Sequence, residues 1–298
     1  MQISSSLLFE RSAGKMSDLM KTATRLQTQI ATGKKITNPS ENVAVAQQIA
    51  ELARKDADAE VYGKNLDLSA ALLQQADSTL GSISVQMQQA TELVNKAANG
   101  ALSGSDRKVI GDQLSSIVDA LIGLGNTKDL RGQPLFGSLA GTDAVIRNAN
   151  GTFTYNTANK LSEIPIGDGV SVQPTETAAR IFTSGSGDTL QALSTLAAAL
   201  QTGTASETVA NAAMAPLKEA SEQVSVVQAS VGARAARVDL QQGLLDSSNL
   251  DRADLRSSLE DVDVTKAYTE LSKTLTILNA TQQSFSKLSQ LSLFTYLR

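Results

Sequence analysis

The sequence predicts a mainly α fold: an elongated antiparallel helical bundle or coiled-coil rod built from both chain ends, with a small β-rich insert domain at the tip. Three observations predict it. Both ends carry apolar residues every three or four positions, at Met16, Leu19, Ala23, Leu26 and Ile30, and at Leu271, Leu275, Leu278, Gln282 and Phe285. Two internal segments carry seven-residue apolar repeats. Aromatic residues make up only 3% of the 298 residues, with no Trp, whereas a thick globular core leans on large rings. A helix with a narrow apolar stripe needs a partner helix to bury it. Stripes at the two chain ends therefore pair most economically with each other.

The elements follow in order. A first helix is expected from Leu7 to Thr32, ended by Gly33 at the position where a C′ glycine stops a helix. Residues 33–40 form a linker, in which Asn38-Pro39 favours an extended turn and Ser40 offers a cap to a short helix from Ala44 to Glu60. Leu66, Leu73, Leu80, Met87 and Val94 then recur every seven residues, with Ser69, Ala76, Ile83, Ala90 and Ala97 beside them. Asn99-Gly100 ends that helix. Ser105 is placed to cap the next, whose seam is Ile110, Leu114, Ile117, Leu121 and Leu124.

Between Asp129 and Gly187 the composition shifts to Gly, Pro, Asn and Thr. Asn150-Gly151 between residues 144–147 and 152–155 signals a hairpin, and Gly167-Asp168-Gly169 before Val170 signals another. Gly185-Ser-Gly187 reads as a flexible turn. Helix resumes at Asp188 and breaks at Gly203. Leu217, Val224, Val231, Val238 and Leu245 then repeat every seven residues. Their flank, Ala220 and Val227, is interrupted by Arg234 and Gln241, and Gly232 suggests close approach of a neighbour. A turn is expected at Asp246–Asn249, followed by a terminal helix to about Leu291. The organisation is palindromic. Residues 1–40 and 264–298 form a terminal coiled-coil domain, 41–130 and 188–263 a helical-bundle domain, and 131–187 the outer insert.

Charge divides along the same lines. Residues 1–37 carry six basic and two acidic residues and residues 264–298 carry four and one, against an overall net charge of −4. The ends are basic and the body between them is acidic. His and Cys are both absent, which removes thiol nucleophiles, His general bases and Cys/His zinc sites together. The acidic clusters Asp56/Asp58/Glu60 and Glu260/Asp261/Asp263 lack the spacing of a calcium loop and read as solvated helix ends. Gly33-Lys34-Lys35 lacks the glycine spacing of a phosphate loop. No basic, aromatic surface for nucleic acid is visible, and no apolar run is long enough to cross a bilayer. The first residues do not read as a cleaved secretory signal.

Four motifs point to a family. Ala31-Thr-Gly-Lys-Lys-Ile-Thr-Asn-Pro-Ser-Glu41, Gly132-Gln-Pro-Leu-Phe-Gly137, Ala229-Ser-Val-Gly-Ala-Arg-Ala-Ala-Arg-Val238 and Leu288-Ser-Gln-Leu-Ser-Leu-Phe-Thr-Tyr-Leu297 resemble the terminal regions of the bacterial flagellin superfamily. Within it, Asn38-Pro-Ser-Glu41 and the Leu-Ser-Leu-Phe-x-Tyr-Leu ending resemble the hook–filament junction branch, whereas Leu297-Arg298 leans towards filament flagellin, the alternative. The resemblance implies a structural axial protein rather than an enzyme, with no cofactor and no metal. It implies export through the flagellar type III apparatus without a cleaved signal peptide, and a place outside the cell on the flagellum. The implied partners are further copies in a ring, the first hook-associated junction protein, flagellin, and an export chaperone with the export apparatus. Neither nucleic acid nor membrane insertion is implied. The terminal helices would form the assembly seam, carried by Met16, Leu19, Ala23, Leu26, Ile30, Leu271, Leu275, Leu278, Phe285 and Leu288.

Overall fold

The computed structural model describes residues 2–99, 102–137, 142–156, 162–205 and 207–296, with backbone alone for residues 2–6, 8 and 288–296. Helix α1 (Gln2–Thr32) ends at Gly33, whose φ of +70° is the left-handed geometry that suits glycine. A single 3-10 turn (Pro39–Glu41) follows, and then α2 (Val43–Ala97). Ser40 lies inside that turn and does not cap α2. Asn42 does, its side-chain oxygen accepting from the Val45 N–H at 3.2 Å. The expected break near Glu60 is absent, and α2 runs unbroken for 55 residues. Gly63 is the one weak helix former there, and it sits against Leu245 rather than ending the helix.

Helix α3 (Gly104–Gly125) is capped by Ser103 and not by Ser105: Ser103 accepts from the Asp106 N–H. Asn126, just past its end, uses its amide as a surrogate strand. It donates to the Val145 carbonyl at 2.9 Å and accepts from the Val145 N–H at 2.7 Å. This pins β1 (Val145–Arg147), which pairs antiparallel with β2 (Phe153–Tyr155). Arg147 lies over the Phe153 ring and forms an ion pair with Asp119 of α3 at 2.8 Å. The second expected hairpin is β3 (Ile164–Gly167) with β4 (Val170–Val172).

Two elements were not legible in the sequence. A short helix α4 (Ala178–Phe182) is capped by Thr177, and Gly185-Ser-Gly187 joins a small hairpin, β5 (Thr183–Ser184) with β6 (Gly187–Asp188). Among the described residues the strands form three separate two-stranded hairpins, not one sheet. They bury their apolar faces on helices. Tyr155 stacks on Phe182 and donates its hydroxyl to Asp188 at 2.9 Å. Burial pushes the Tyr155 phenol up, with the Asp188 charge adding to it. Asp188 also caps α5 (Thr189–Thr202), which ends at Gly203 in the left-handed region. α3 packs closely on α5 at Gly111, where a Cβ would stand 2.9 Å from the Ala197 carbonyl.

The last two helices are α6 (Glu207–Glu260) and α7 (Val264–Tyr296). No turn forms at Asp246–Asn249. The polar side chains there bond along the helix instead, Asp246 to Gln242 and Ser248 and Asn249 to Arg252. The chain divides into two contact units, Met1–Asp58 with Ser247–Arg298, and Ala59–Asp246. In the second unit both seven-residue repeats are buried: Leu66, Leu73, Leu80, Met87 and Val94 on α2, and Leu217, Val224, Val231 and Val238 on α6.

The two polar interruptions on α6 are where the insert docks. Arg234 donates to the Gln173 and Thr175 carbonyls and pairs with the buried carboxylate of Glu176, which Arg180 also holds at 2.8 Å. Gln241 faces Gly167, where a Cβ would come within 2.7 Å of its amide nitrogen. Gly232, by contrast, has open space around it, with no close neighbour among the described residues. Removing one partner of a buried ion pair leaves the other without its counter-charge. Glu176→Ala is therefore expected to destabilise the chain by about 3 kcal/mol in urea unfolding followed by circular dichroism.

Candidate assembly surface

The terminal helices meet through interlocking stripes. On α1 the inward positions are Phe9, Met16, Leu19, Ala23, Leu26 and Ile30, spaced by threes, fours and sevens. On α7 they are Ala267, Leu271, Thr274, Leu278, Thr281 and Phe285. Ala23, Leu26, Ala267 and Leu278 are buried, and the others are half-buried. The helices are antiparallel. At one end the Val262 N–H donates to the Gly33 carbonyl at 2.9 Å, and at the other Phe9 meets Phe285 edge to face at 5.2 Å. The pair forms between the two ends of one chain.

Each residue of the expected seam has a distinct place. Met16, Leu19, Ala23, Leu26 and Ile30 face the partner helix, as do Leu271, Leu278 and Phe285. Leu275 does not. It is 38% exposed, and Thr274 occupies the inward position beside it. The side chain of Leu288 lies outside the described residues. Two helices facing each other cover only one stripe apiece, so apolar residues beside the stripe stay in water. Met20 is 56% exposed, Tyr268 65%, and Val264 and Leu275 complete an open flank. Next to it, Ala13, Met16, Met20 and Gln282 line a groove of about 800 Å³ rimmed by Lys21 and Arg25.

Where α1 and α7 join the helices that precede and follow them, a backbone clasp ties the two connections together. The Lys35 N–H donates to the Glu260 carbonyl at 2.6 Å, and Lys34 bridges to Asp261. The Lys34 ammonium pairs with Glu260 at 3.1 Å, and the Lys35 ammonium donates to the Ser258 carbonyl at 2.8 Å. Glu41 folds back on the linker, accepting from the Thr37 hydroxyl and N–H. These bonds hold its carboxyl below the ordinary value.

Beyond the clasp, α2 and α6 are joined by charge. Asp56 accepts from Arg252 Nε at 2.9 Å and from Arg256. Asp56 and Glu260 are thus engaged in ion pairs, not simply solvated as their acidic neighbourhood suggested. A sequence signal existed for Asp56: it stands in register with Leu52 and Ala59 on the buried stripe of α2. Among the described residues no group of three or more Asp and Glu is arranged to hold a metal ion, and no helix is long and apolar enough to cross a membrane.

The hydrogen bond from Arg252 depresses the Asp56 carboxyl, burial opposes it, and the Arg256 and Arg252 charges deepen the depression. A carboxyl lowered on folding contributes stability above its unfolded value, about 3.9, and loses it as pH falls through the lower folded value. Asp56→Asn should therefore lower the thermal midpoint at neutral pH. Below about pH 4 the gap to the unsubstituted chain should close, as differential scanning calorimetry across pH would record.

Comparison with known proteins agrees with this architecture. The bacterial flagellin N-terminal helical region matches residues 5–140, and the bacterial flagellin C-terminal helical region matches residues 214–297. The chain is 24% identical to flagellar hook-associated protein 3 of Salmonella typhimurium, over 99% of both chains. It is 25% identical to flagellin of Listeria innocua, over 90% of this chain and 87% of that one. In three dimensions it resembles FlgL of Xanthomonas campestris at a TM-score of 0.59 and 18% identity, over 69% of this chain and 99% of that one. It also resembles flagellar hook-associated protein 3 of Legionella pneumophila at 0.61 and 14%, over 70% and 97%. With both helical regions matched and the fold shared, this chain belongs to the bacterial flagellin family.

Proposed function

We propose that this chain is a hook–filament junction subunit of a bacterial flagellum, a structural axial protein that acts by assembly and not by catalysis. The observation that carries the reading is the α1–α7 pair, which buries one stripe and leaves an apolar flank at Met20, Tyr268 and Leu275 for neighbours to cover. The end-to-end match to the Salmonella hook-associated protein, against a partial match to the Listeria flagellin, favours a junction subunit over a filament subunit.

On this reading the chain leaves the cell through the flagellar type III apparatus without a cleaved signal. It joins further copies in a ring, with the first hook-associated junction protein on one side and flagellin on the other. An export chaperone would cover the terminal helices before assembly. Residues 1–40 and 264–298 supply the assembling layer, 41–130 and 188–263 the helical body, and 131–187 the outward insert. The seam Met16, Leu19, Ala23, Leu26, Ile30, Leu271, Leu278 and Phe285 forms the pair, and Leu275 faces the neighbour.

Purified chain mixed with isolated hooks carrying the first junction protein should add at hook ends and form no long polymer alone. Electron microscopy and light scattering would read both. Long homopolymers would make it a filament subunit, and binding to neither hooks nor filaments would reject the axial role. Met20→Asp and Leu275→Asp should each cut addition at least tenfold while leaving thermal unfolding unchanged, because both side chains lie outside the pair. Leu278→Asp, inside it, should lower both.

A further inference from the structure

The unit formed by residues 1–58 and 247–298 is electrically divided. Helices α1 and α7 carry seven basic and three acidic residues, a net of +4. Residues 43–58 and 247–263, at the ends of α2 and α6, carry eight acidic and four basic residues, a net of −4. Internal pairing uses much of the positive charge on the acidic side, because Arg252 and Arg256 are both held by Asp56. Asp251 and Asp254 remain exposed with no ion pair among the described residues.

Each half also carries an apolar feature. On the acidic half, Leu255 stands 49% exposed at a notch of about 210 Å³ that it forms with Leu52 and Leu259. Asp251 lies one helical turn from Leu255, and Glu51 lines the notch, paired with Lys55 at 3.6 Å. On the basic half is the open groove with Met16 and Met20 in its wall and Lys21 and Arg25 on its rim. Lys21 has one fully solvated partner, Asp18 at 3.6 Å. The only acidic residue lining that groove, Glu41, is already bonded to Thr37.

We propose that the Leu255 surface of one copy docks into the Met16–Met20 groove of a second copy, with Asp251 and Asp254 facing Lys21 and Arg25. The proposal rests on the assembly reading above and names the contact that carries it. The two surfaces differ, so the contact is head-to-tail: each copy offers both a donor and an acceptor face, and a series of such contacts closes into a ring or winds into a helix. Opposite charges at the rim fix the partner and register, and the apolar centre supplies the hold. A like-for-like contact would set basic against basic, or acidic against acidic.

The chain has no cysteine, so a disulfide reports the contact directly. Two singly substituted chains, Met20→Cys and Leu255→Cys, are mixed, bound at isolated hook ends and oxidised. Any heterodisulfide then joins different copies. The expected result is Met20–Leu255 linked dimers at least tenfold above either chain alone. Raising salt from about 0.05 M to about 0.5 M should lower the yield. Lys21→Glu/Arg25→Glu in the first chain, or Asp251→Lys/Asp254→Lys in the second, should cut the yield at least fivefold. Combining the two reversed chains should restore it, which a folding defect could not do. Failure of the parent chain to bind hook ends would overturn the assembly reading itself. Binding with no heterodisulfide, or with a yield indifferent to charge reversal, would overturn this contact and leave that reading standing.

Discussion

The seams on α2 and α6 set the terms for the rest of the molecule. Most helical stability in a folded protein comes from packing an amphipathic face, and these two helices exceed fifty residues each. Each fully buried Leu or Val on them contributes about 1.5–3 kcal/mol relative to exposure, and the stripe from Leu66 to Val94 faces such residues along its length. That burial explains why α2 passes through Gly63, between buried Ala59 and Leu66, without a break, whereas Asp246–Asn249 lies past Leu245, the last seam residue, and is held by side-chain bonds along the helix. Local turn preferences of about 1 kcal/mol per residue are small beside the sum of neighbouring seam contacts. The insert follows the same logic. Its hairpins are too short to hold a core between them, so they lean on α3, α5 and α6.

Seven-residue repeats, the two main hairpin turns and the glycine stops at Gly33 and Gly203 were legible because each is a local signal with one structural meaning. The elements missed were those set by distant partners. Asn42 and Ser103 cap instead of Ser40 and Ser105, because cap choice depends on where the first helical turn closes. The β5–β6 pair has two residues a strand and no periodicity to read. Arg234 and Gln241 looked like flaws in a seam, yet they mark the docking line of the insert. A polar residue in phase with a buried stripe, such as Asp56 or Arg234, is better read as a search for a buried partner than as an interruption. Asp129 shows the same rule in a loop. Burial would raise its carboxyl, but bonds from the Gln133 and Arg131 N–H groups and the Arg131 side chain outweigh it and organise the turn.

The terminal helices were the harder case. Two registers are open to α7, one through Leu271, Leu275, Leu278, Gln282 and Phe285, the other through Ala267, Leu271, Thr274, Leu278, Thr281 and Phe285. Both satisfy spacing by threes and fours. Hydrophobicity alone favours the first near residue 275, because Leu buries more apolar surface than Thr. The partner helix selects the second, and periodicity carries no information about which of two adjacent stripes a partner will cover.

That choice bears on function. A pair built to be self-sufficient would turn its largest apolar side chains inward, as α2 does from Leu66 through Leu73, Leu80, Ile83 and Met87 to Val94. Here Thr274 and Thr281 take inward positions while Leu275 and Tyr268 stay in water. Small inward residues make a thin seam, and large outward residues keep the flank adhesive. Whatever covers that flank stabilises the pair by binding its folded form alone. Order in the terminal helices and contact with neighbours are then one equilibrium. The backbone clasp between Gly33 and Val262 joins the two helices at their ends, apart from the seam, so its bonds add to whatever the seam and its flank supply.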